Sequence, residues 1–524
     1  MMRFSAPNTI TSRPAETYGA IAISPDGREI VYAAATGTSR MLFRRAIDQF
    51  EPSPISGSEG GVQPFFSPDG KWVGYSARQR LWKVPLSGGR PTELARPARS
   101  RGAEWQDDGT IVFCPYYYGG IERVSSSGGA VTVVSKPDRA AGERSHRWPH
   151  ALPGGKVILY SVGLGSSWDN ARVVAHRLDT GERKVVLNGG TDARYVPTGH
   201  LVYVRGTSVY AVPFDAGALE VRGQPVEVTS GVANHTAGGA EFAFSRNGTL
   251  VYFTPGVGGD EGGRLTMMNR RGEREPAVLP DGPFGHPMFS PAGTSLVAER
   301  DFSIWTIDLS RGTSSRLATG PRMGWPVWSA DGTRIFYASE RAGPWQIWSR
   351  AADGSDEERQ IAKAADYSMT PSAVSPDGAV LLHADHPDSG TDVEVVDGSG
   401  KIRSLVRSDA DDNPGTFSPD GRWIAYWSDE SGRDEVYVRP RTGPSGRWQI
   451  SNQGGTEPRW VLEDEIAYLN GTKIMTVPVK TSPSFTAGTP RLLLDANASD
   501  FDLTRDGRIL IVEAPDPSAA PGRL

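Results

Sequence analysis

The run Phe417-Ser418-Pro419-Asp420-Gly421-Arg422-Trp423-Ile424-Ala425-Tyr426 is an apolar approach, a turn tetrad and a second apolar run. Pro presets φ for the first turn position, Asp bonds backbone amides ahead of it, and Gly takes positive φ. Two short runs joined by such a turn read as a β-hairpin. The tetrad recurs intact at Ser24 to Gly27, Ser67 to Gly70 and Ser375 to Gly378. Degenerate copies stand at Gln106 to Gly109, Leu152 to Gly155, Val196 to Gly199, Ser245 to Gly248, Ser290 to Gly293, Ser329 to Gly332, Leu462 to Glu465 and Thr504 to Gly507. Successive copies lie 39 to 49 residues apart, about 44 on average, so twelve units span almost the whole chain.

Each unit repeats one grammar. After the tetrad comes a second run such as Trp72-Val73-Gly74-Tyr75, then an alternating third run such as Glu435-Val436-Tyr437-Val438. A Gly-rich bend (Ser87-Gly88-Gly89) leads to a fourth short run. Four antiparallel strands in about 44 residues is the size of a β-propeller blade. No segment sustains a 3.6-residue period. The expected fold is all-β, a β-propeller of about twelve four-stranded blades. Since single rings usually hold four to eight, two six-bladed propellers fit best, residues 1–280 and 281–524, with the boundary near 278–286. A 7+5 split or one large ring is the alternative. The Gly-rich stretch Gly256 to Gly263 is read as an exposed blade loop. The twelfth unit lacks its outer strands, and an N-terminal strand within Met1 to Thr11 is a candidate to complete a last blade and cover its edge.

Composition agrees. The 62 Gly and 40 Pro argue against a helical bundle, and 9% aromatic residues with 14 Trp argue against disorder. A net charge of -5, with 56 basic and 61 acidic residues interspersed, gives no electrostatic case for nucleic acid or anionic membrane. The single cysteine, Cys114, follows Ile111-Val112-Phe113 and reads as a buried strand thiol. Met1 to Pro14 has no apolar signal core and no 18-residue apolar stretch occurs, so the chain as written reads as soluble and unexported, with no membrane segment.

The repeats resemble the WD-repeat-like units of TolB-type propellers. The run from Phe417 to Tyr426 continues through Ser428-Asp429-Glu430-Ser431-Gly432-Arg433 and Glu435 to Pro440, and ends in Trp448-Gln449-Ile450-Ser451 and Gly454 to Trp460. This is similar to the propeller region carried C-terminally by many bacterial serine/threonine protein kinases. Phe65 to Gly70, Arg147-Trp148-Pro149, Arg194 to Gly199 and Val212 to Asp215 agree with it. No kinase motif is present: no Gly-rich nucleotide loop, no His-Arg-Asp, no Asp-Phe-Gly. The resemblance therefore implies only the sensor or protein-interaction module, extracytoplasmic if it belongs to a longer membrane kinase. It also implies a truncated product, since the family's usual last strand is not evident after Leu524.

Candidate chemistry is sparse. The eight histidines are His146, His150, His176, His200, His235, His286, His383 and His386. His146 and His150 share one side of a strand or helix, and His383, Asp385, His386 and Asp388 share a loop; either group has metal-ligand residue types. A strand packing Trp148 and a solvated loop are the competing readings. Asp409, Asp411 and Asp412, and the set Asp420, Asp429, Glu430 and Asp434, lack EF-hand spacing. Gly163-Leu164-Gly165-Ser166-Ser167 lacks the nucleophile-elbow pattern. No catalytic residue, metal or cofactor is assigned.

Propeller geometry offers a better surface. The first strand of each blade lines the axis. Counting back about four residues from the turns gives Gln63, Trp148, Asp192, Glu241, His286, Trp325, Asn413 and Glu457. This polar and aromatic set would line a central funnel; a water-filled channel is the competing reading. The expected function is a non-catalytic scaffold or sensor that binds a protein, peptide or saccharide partner through loops and funnel. The alternatives are a propeller lyase or hydrolase with a His/acid or metal site, and the detached regulatory half of a kinase.

Overall fold

The computed structural model describes residues 21–513, except positions 37–38, 50, 97–100, 165–167, 169, 235–237, 255–263, 278, 388 and 444–445. These residues are all-β, without a helix, and form twelve antiparallel sheets. The sheet that carries the opening run is typical. Strands Asp412–Phe417, Trp423–Ser428, Glu435–Pro440 and Trp448–Gln449 pair in sequence order, each with the next. The fold is a multi-blade β-propeller.

The tetrad works as its chemistry demands. Ser418 Oγ donates to Asp420 Oδ1 at 2.6 Å and accepts from Trp423 N–H at 3.0 Å, while Arg422 N–H donates to Asp420 at 3.0 Å. Gly421, at φ 71°, donates its N–H to Ser418 O. The copy at Ser67 repeats this with Asp69, Lys71 and Trp72. The second strands then bury large side chains between consecutive sheets. Tyr32, Tyr75, Tyr160, Tyr203, Tyr337, Tyr426 and Tyr468 are all fully buried, and each removes a large apolar ring from water. Cys114 is buried, and burial pushes its thiol pKa up.

By internal contacts the chain divides into two units, Met1–Asp260 with Asp516–Leu524, and Glu261–Pro515. Within the second, the innermost strands Gly285–Phe289, Met323–Trp328, Ser368–Val374, Asp412–Phe417, Thr456–Leu462 and Ala498–Leu503 touch successively, and the last returns to the first. Within the first, Ile21–Ile23, Val62–Phe66, Ala103–Trp105, Ser145–Ala151 and Thr191–Val196 touch in order, and Phe242–Phe244 touches Ile21–Ile23. The guanidinium of Arg194 over the Phe242 ring, at 4.3 Å, closes this second circuit.

The division at 260/261 differs from a boundary near 280. The strand Leu265–Asn269, which the repeat count places in the sixth unit, pairs instead with Arg508–Glu513. It is the third strand of the last sheet, after Ala498–Leu503 and Arg508–Glu513, and Arg274 bridges to it beyond. The outer part of the twelfth unit is thus supplied from the start of the second unit. Leu265 and Met267 bury against Leu510 and Val512, which sequence distance conceals. The expected N-terminal strand in Met1 to Thr11 and the Gly256 to Gly263 loop lie outside the described residues.

Candidate functional site

Six of the eight counted positions share an unusual backbone. Gln63, Trp148, Asp192, His286, Trp325 and Glu457 have φ between 49° and 54°, a left-handed conformation that costs a non-Gly residue about 1–2 kcal/mol. Each lies where the innermost strand slips register against its neighbour, as between Thr191 and Arg194 or between Gly324 and Val327. The bulge turns the residue's N–H out of the ladder, and at three of the six a group of the preceding blade accepts it. Asp192 N–H donates to Ser161 Oγ at 2.9 Å, Trp148 N–H to Arg101 O at 2.8 Å, and Trp325 N–H to Glu299 Oε2 at 3.4 Å. Asn413 and Glu241 do not adopt this conformation; the strand of Asn413 slips instead between Pro414 and Thr416.

In the first unit this level is closed. Gln63, Trp148, Asp192 and Glu241 are all more than nine-tenths buried. The Trp148 ring lies on Gly239, where a Cβ would stand 2.2 Å from it, and Trp168 lies equally close on Gly238. Arg147 stacks on Trp168 at 4.6 Å and donates to Tyr117 O. Asp192 is held by Arg194 at 3.1 Å.

In the second unit Asn413 is buried as well, but the other three counted residues are more exposed. The His286 side chain is 47% exposed, and Trp325 and Glu457 are only partly buried. A continuous arc of contacts crosses four sheets. Trp345 meets Trp325 edge to face at 4.9 Å, and Trp325 meets the His286 ring at 5.3 Å. His286 Nδ1 stands 3.6 Å from Asp500, and Arg459 stands 3.6 Å from both Asp500 and Glu457. Burial pushes the carboxyl pKa of Glu299 and Asp500 up, and that of Asp502 up to about 6. The arc thus places two aromatic rings, an imidazole and a buried charge pair side by side.

Sequence counting missed Arg459, Asp500, Glu299 and Trp345. Asp500 was within reach, because it lies four residues before Thr504. Arg459 follows Glu457 by two on one strand. Glu299 and Trp345 sit outside the innermost strands, where no period marks them.

The remaining candidates are placed apart. His146 is fully buried between Ser135 Oγ (2.8 Å) and Glu143 Oε2 (2.9 Å), and burial lowers its pKa to about 4. His150 instead pairs with Glu104 at 3.0 Å. Neither ring is thus left for a shared metal. His383 faces Asp385 at 3.3 Å, while His386 faces Glu394 at 3.0 Å and stacks on Tyr367. Asp388, His235 and Gly165 to Ser167 lie outside the described residues. Asp420 caps its tetrad. Asp412 is buried, with its pKa raised to about 6, and accepts from Ser408, and Asp429 accepts from Asp411 N–H. Among the described residues no three His, Cys, Asp or Glu side chains group as metal ligands.

Residues 243–461, less than half of the chain, match the TolB beta propeller domain model. An uncharacterized protein of Agrobacterium fabrum is 33% identical over 154 residues, 26% of this chain and 52% of its own length. The chain thus spans about half the length of that relative. Among solved structures, a putative TolB from Agrobacterium tumefaciens is similar with a TM-score of 0.38 and 17% identity, over 48% of this chain and 96% of that one. The tricorn protease is similar with a TM-score of 0.31 and 14% identity, over 93% of this chain and 55% of that one.

Proposed function

We propose that this TolB-like propeller chain is a non-catalytic binding module, two six-bladed rings of which the second holds a protein, peptide or saccharide partner at its mouth. The observation that carries this is the contrast between the units. The bulge residues Gln63, Trp148 and Asp192 are buried in the first, whereas His286, Trp325 and Glu457 are more exposed in the second. An aromatic anchor ringed by polar groups is the usual centre of a binding surface. The likeness of Phe417 to Trp460 to kinase-attached propellers supports a sensory form of this role. A lyase or hydrolase reading needs converging acid and imidazole groups; the exposed pair His286 and Asp500, 3.6 Å apart, is the place where such activity would be sought, and its loss on His286→Ala would favour that reading.

The test is capture of peptide and glycan arrays by the full chain, repeated with Trp325→Ala and His286→Ala. The variants should lose at least tenfold in affinity for whatever the chain captures, about 1.4 kcal/mol. Unchanged affinity in both would remove the mouth from the function.

A further inference from the structure

The sixth tetrad, Ser245-Arg246-Asn247-Gly248, puts an asparagine where the intact copies hold aspartate, and makes an Asn-Gly pair of it. The turn treats this side chain as it treats a carboxylate. Ser245 Oγ donates to Asn247 Oδ1, and Thr249 adds its Oγ1–H at 3.0 Å and its N–H at 3.3 Å. The eighth tetrad sets the same residue types around an aspartate. There Ser329 Oγ, Thr333 Oγ1 and Thr333 N–H donate to Asp331 Oδ1 at 2.6, 2.8 and 3.0 Å. These donors favour negative oxygen enough to hold that carboxyl at about 2. Around Asn247 the same donors meet a neutral amide carbonyl. Converging donors polarise such a carbonyl toward the negative oxygen of a tetrahedral adduct, as an oxyanion hole does.

The nucleophile is the next backbone nitrogen. Gly248, at φ 89°, has nothing within 4 Å of where a Cβ would stand, so no side chain hinders ring closure. Attack of Gly248 N on Asn247 Cγ forms the N–Cγ bond and puts negative charge on Oδ1. The Cγ–Nδ2 bond then breaks. The Gly248 N–H proton passes to solvent, and Nδ2 takes up a proton and leaves as ammonia. Water opens the cyclic imide at either carbonyl, giving aspartate or isoaspartate. Asn247 and Gly248 are exposed, so water reaches both.

The departing nitrogen has a structural partner. Asn247 Nδ2 donates to Asp26 O at 2.8 Å, where the sheet of Phe242–Phe244 meets that of Ile21–Ile23 and closes the first unit. Beside it Arg246 N–H donates to Pro25 O at 3.0 Å. Loss of the amide removes the first of these bonds and sets a carboxylate against a carbonyl oxygen.

We infer that Asn247 is a self-catalysed deamidation site, at which the donors of the tetrad promote loss of the side-chain nitrogen and, with it, of a hydrogen bond that closes the first unit.

The experiment is storage of the full chain in mildly alkaline buffer, native and in urea, followed by peptide mapping for aspartate and isoaspartate. Asn188-Gly189 and Asn470-Gly471, which lie outside any tetrad, are internal references. The native rate at Asn247, divided by its rate in urea, should exceed the same ratio at both references by about tenfold. Thr249→Val, which keeps the side-chain shape and drops one donor, should slow Asn247 several-fold and leave the references unchanged; Ser245→Ala provides a second variant. A ratio at Asn247 no higher than at the references, or a rate there that Thr249→Val leaves unchanged, would overturn the site. Asn247→Asp should speed amide hydrogen exchange at Arg246 several-fold, and unchanged exchange there would overturn the ring-closing consequence.

Discussion

Trp148 and Trp325 occupy the same place in the repeat with nearly the same backbone, φ 54° and 52°, yet one is buried and the other partly exposed. The difference lies in what each ring meets. Gly238 and Gly239 let Trp168 and Trp148 lie directly on the backbone, whereas Trp325 meets the side chains of His286 and Trp345. Gly239→Ala should therefore cost about 1–3 kcal/mol, as overpacking does, measured by urea unfolding. Gly199→Ala, where nothing lies within 4 Å of the added carbon, should cost only the strain of its left-handed backbone. Equal losses at the two sites would contradict the packing of Trp148 on Gly239. Two adjacent glycines carry no periodic signal, so sequence could place both tryptophans at a ring level but not tell which one solvent reaches.

At the scale of the element, the tetrad is the unit most legible in sequence, because its bonds are local. Asp331 is held down to about 2 by Ser329 and Thr333, and Asp377 to about 2 by Arg441 and Ser375. A carboxylate depressed in the folded state stabilises above its unfolded pKa, near 4, and that contribution disappears as pH falls toward 2. Asp331→Asn should lower stability at pH 7 by a few tenths to about 1 kcal/mol, given its exposure. The difference from the parent chain should vanish between pH 4 and 2 in denaturant titrations. A pH-independent difference would remove the capping account. The innermost strands were half legible. Counting back from each tetrad found six bulge residues, although a left-handed Trp, His or Gln has no compositional mark. Asn413 and Glu241 broke the rule because a Pro-associated slip and a shorter strand replace the common bulge there.

At the scale of the whole chain, the last sheet joins residues about 240 apart, Leu265–Asn269 against Arg508–Glu513. A pattern of short apolar runs identifies strands but not distant partners, so the repeat arithmetic placed this strand one unit too early. A fragment spanning 261–515 should unfold in one cooperative transition. A fragment spanning 280–515 loses the burial of Leu265 and Met267, worth about 1.5–3 kcal/mol each, and should unfold at a clearly lower denaturant midpoint. Equal midpoints would show that Leu265–Asn269 does not complete the second unit.

His286 and Trp325 are accessible to solvent in the second unit, whereas Trp148 is buried in the first. Brief hydroxyl-radical and diethylpyrocarbonate labelling of the native chain, read by mass spectrometry, tests it without any ligand. The account predicts rapid modification of His286, at 47% side-chain exposure, and of Trp325, with His146 and Trp148 protected until the chain unfolds. Labelling of Trp148 at the rate of Trp325, or a protected His286, would contradict it.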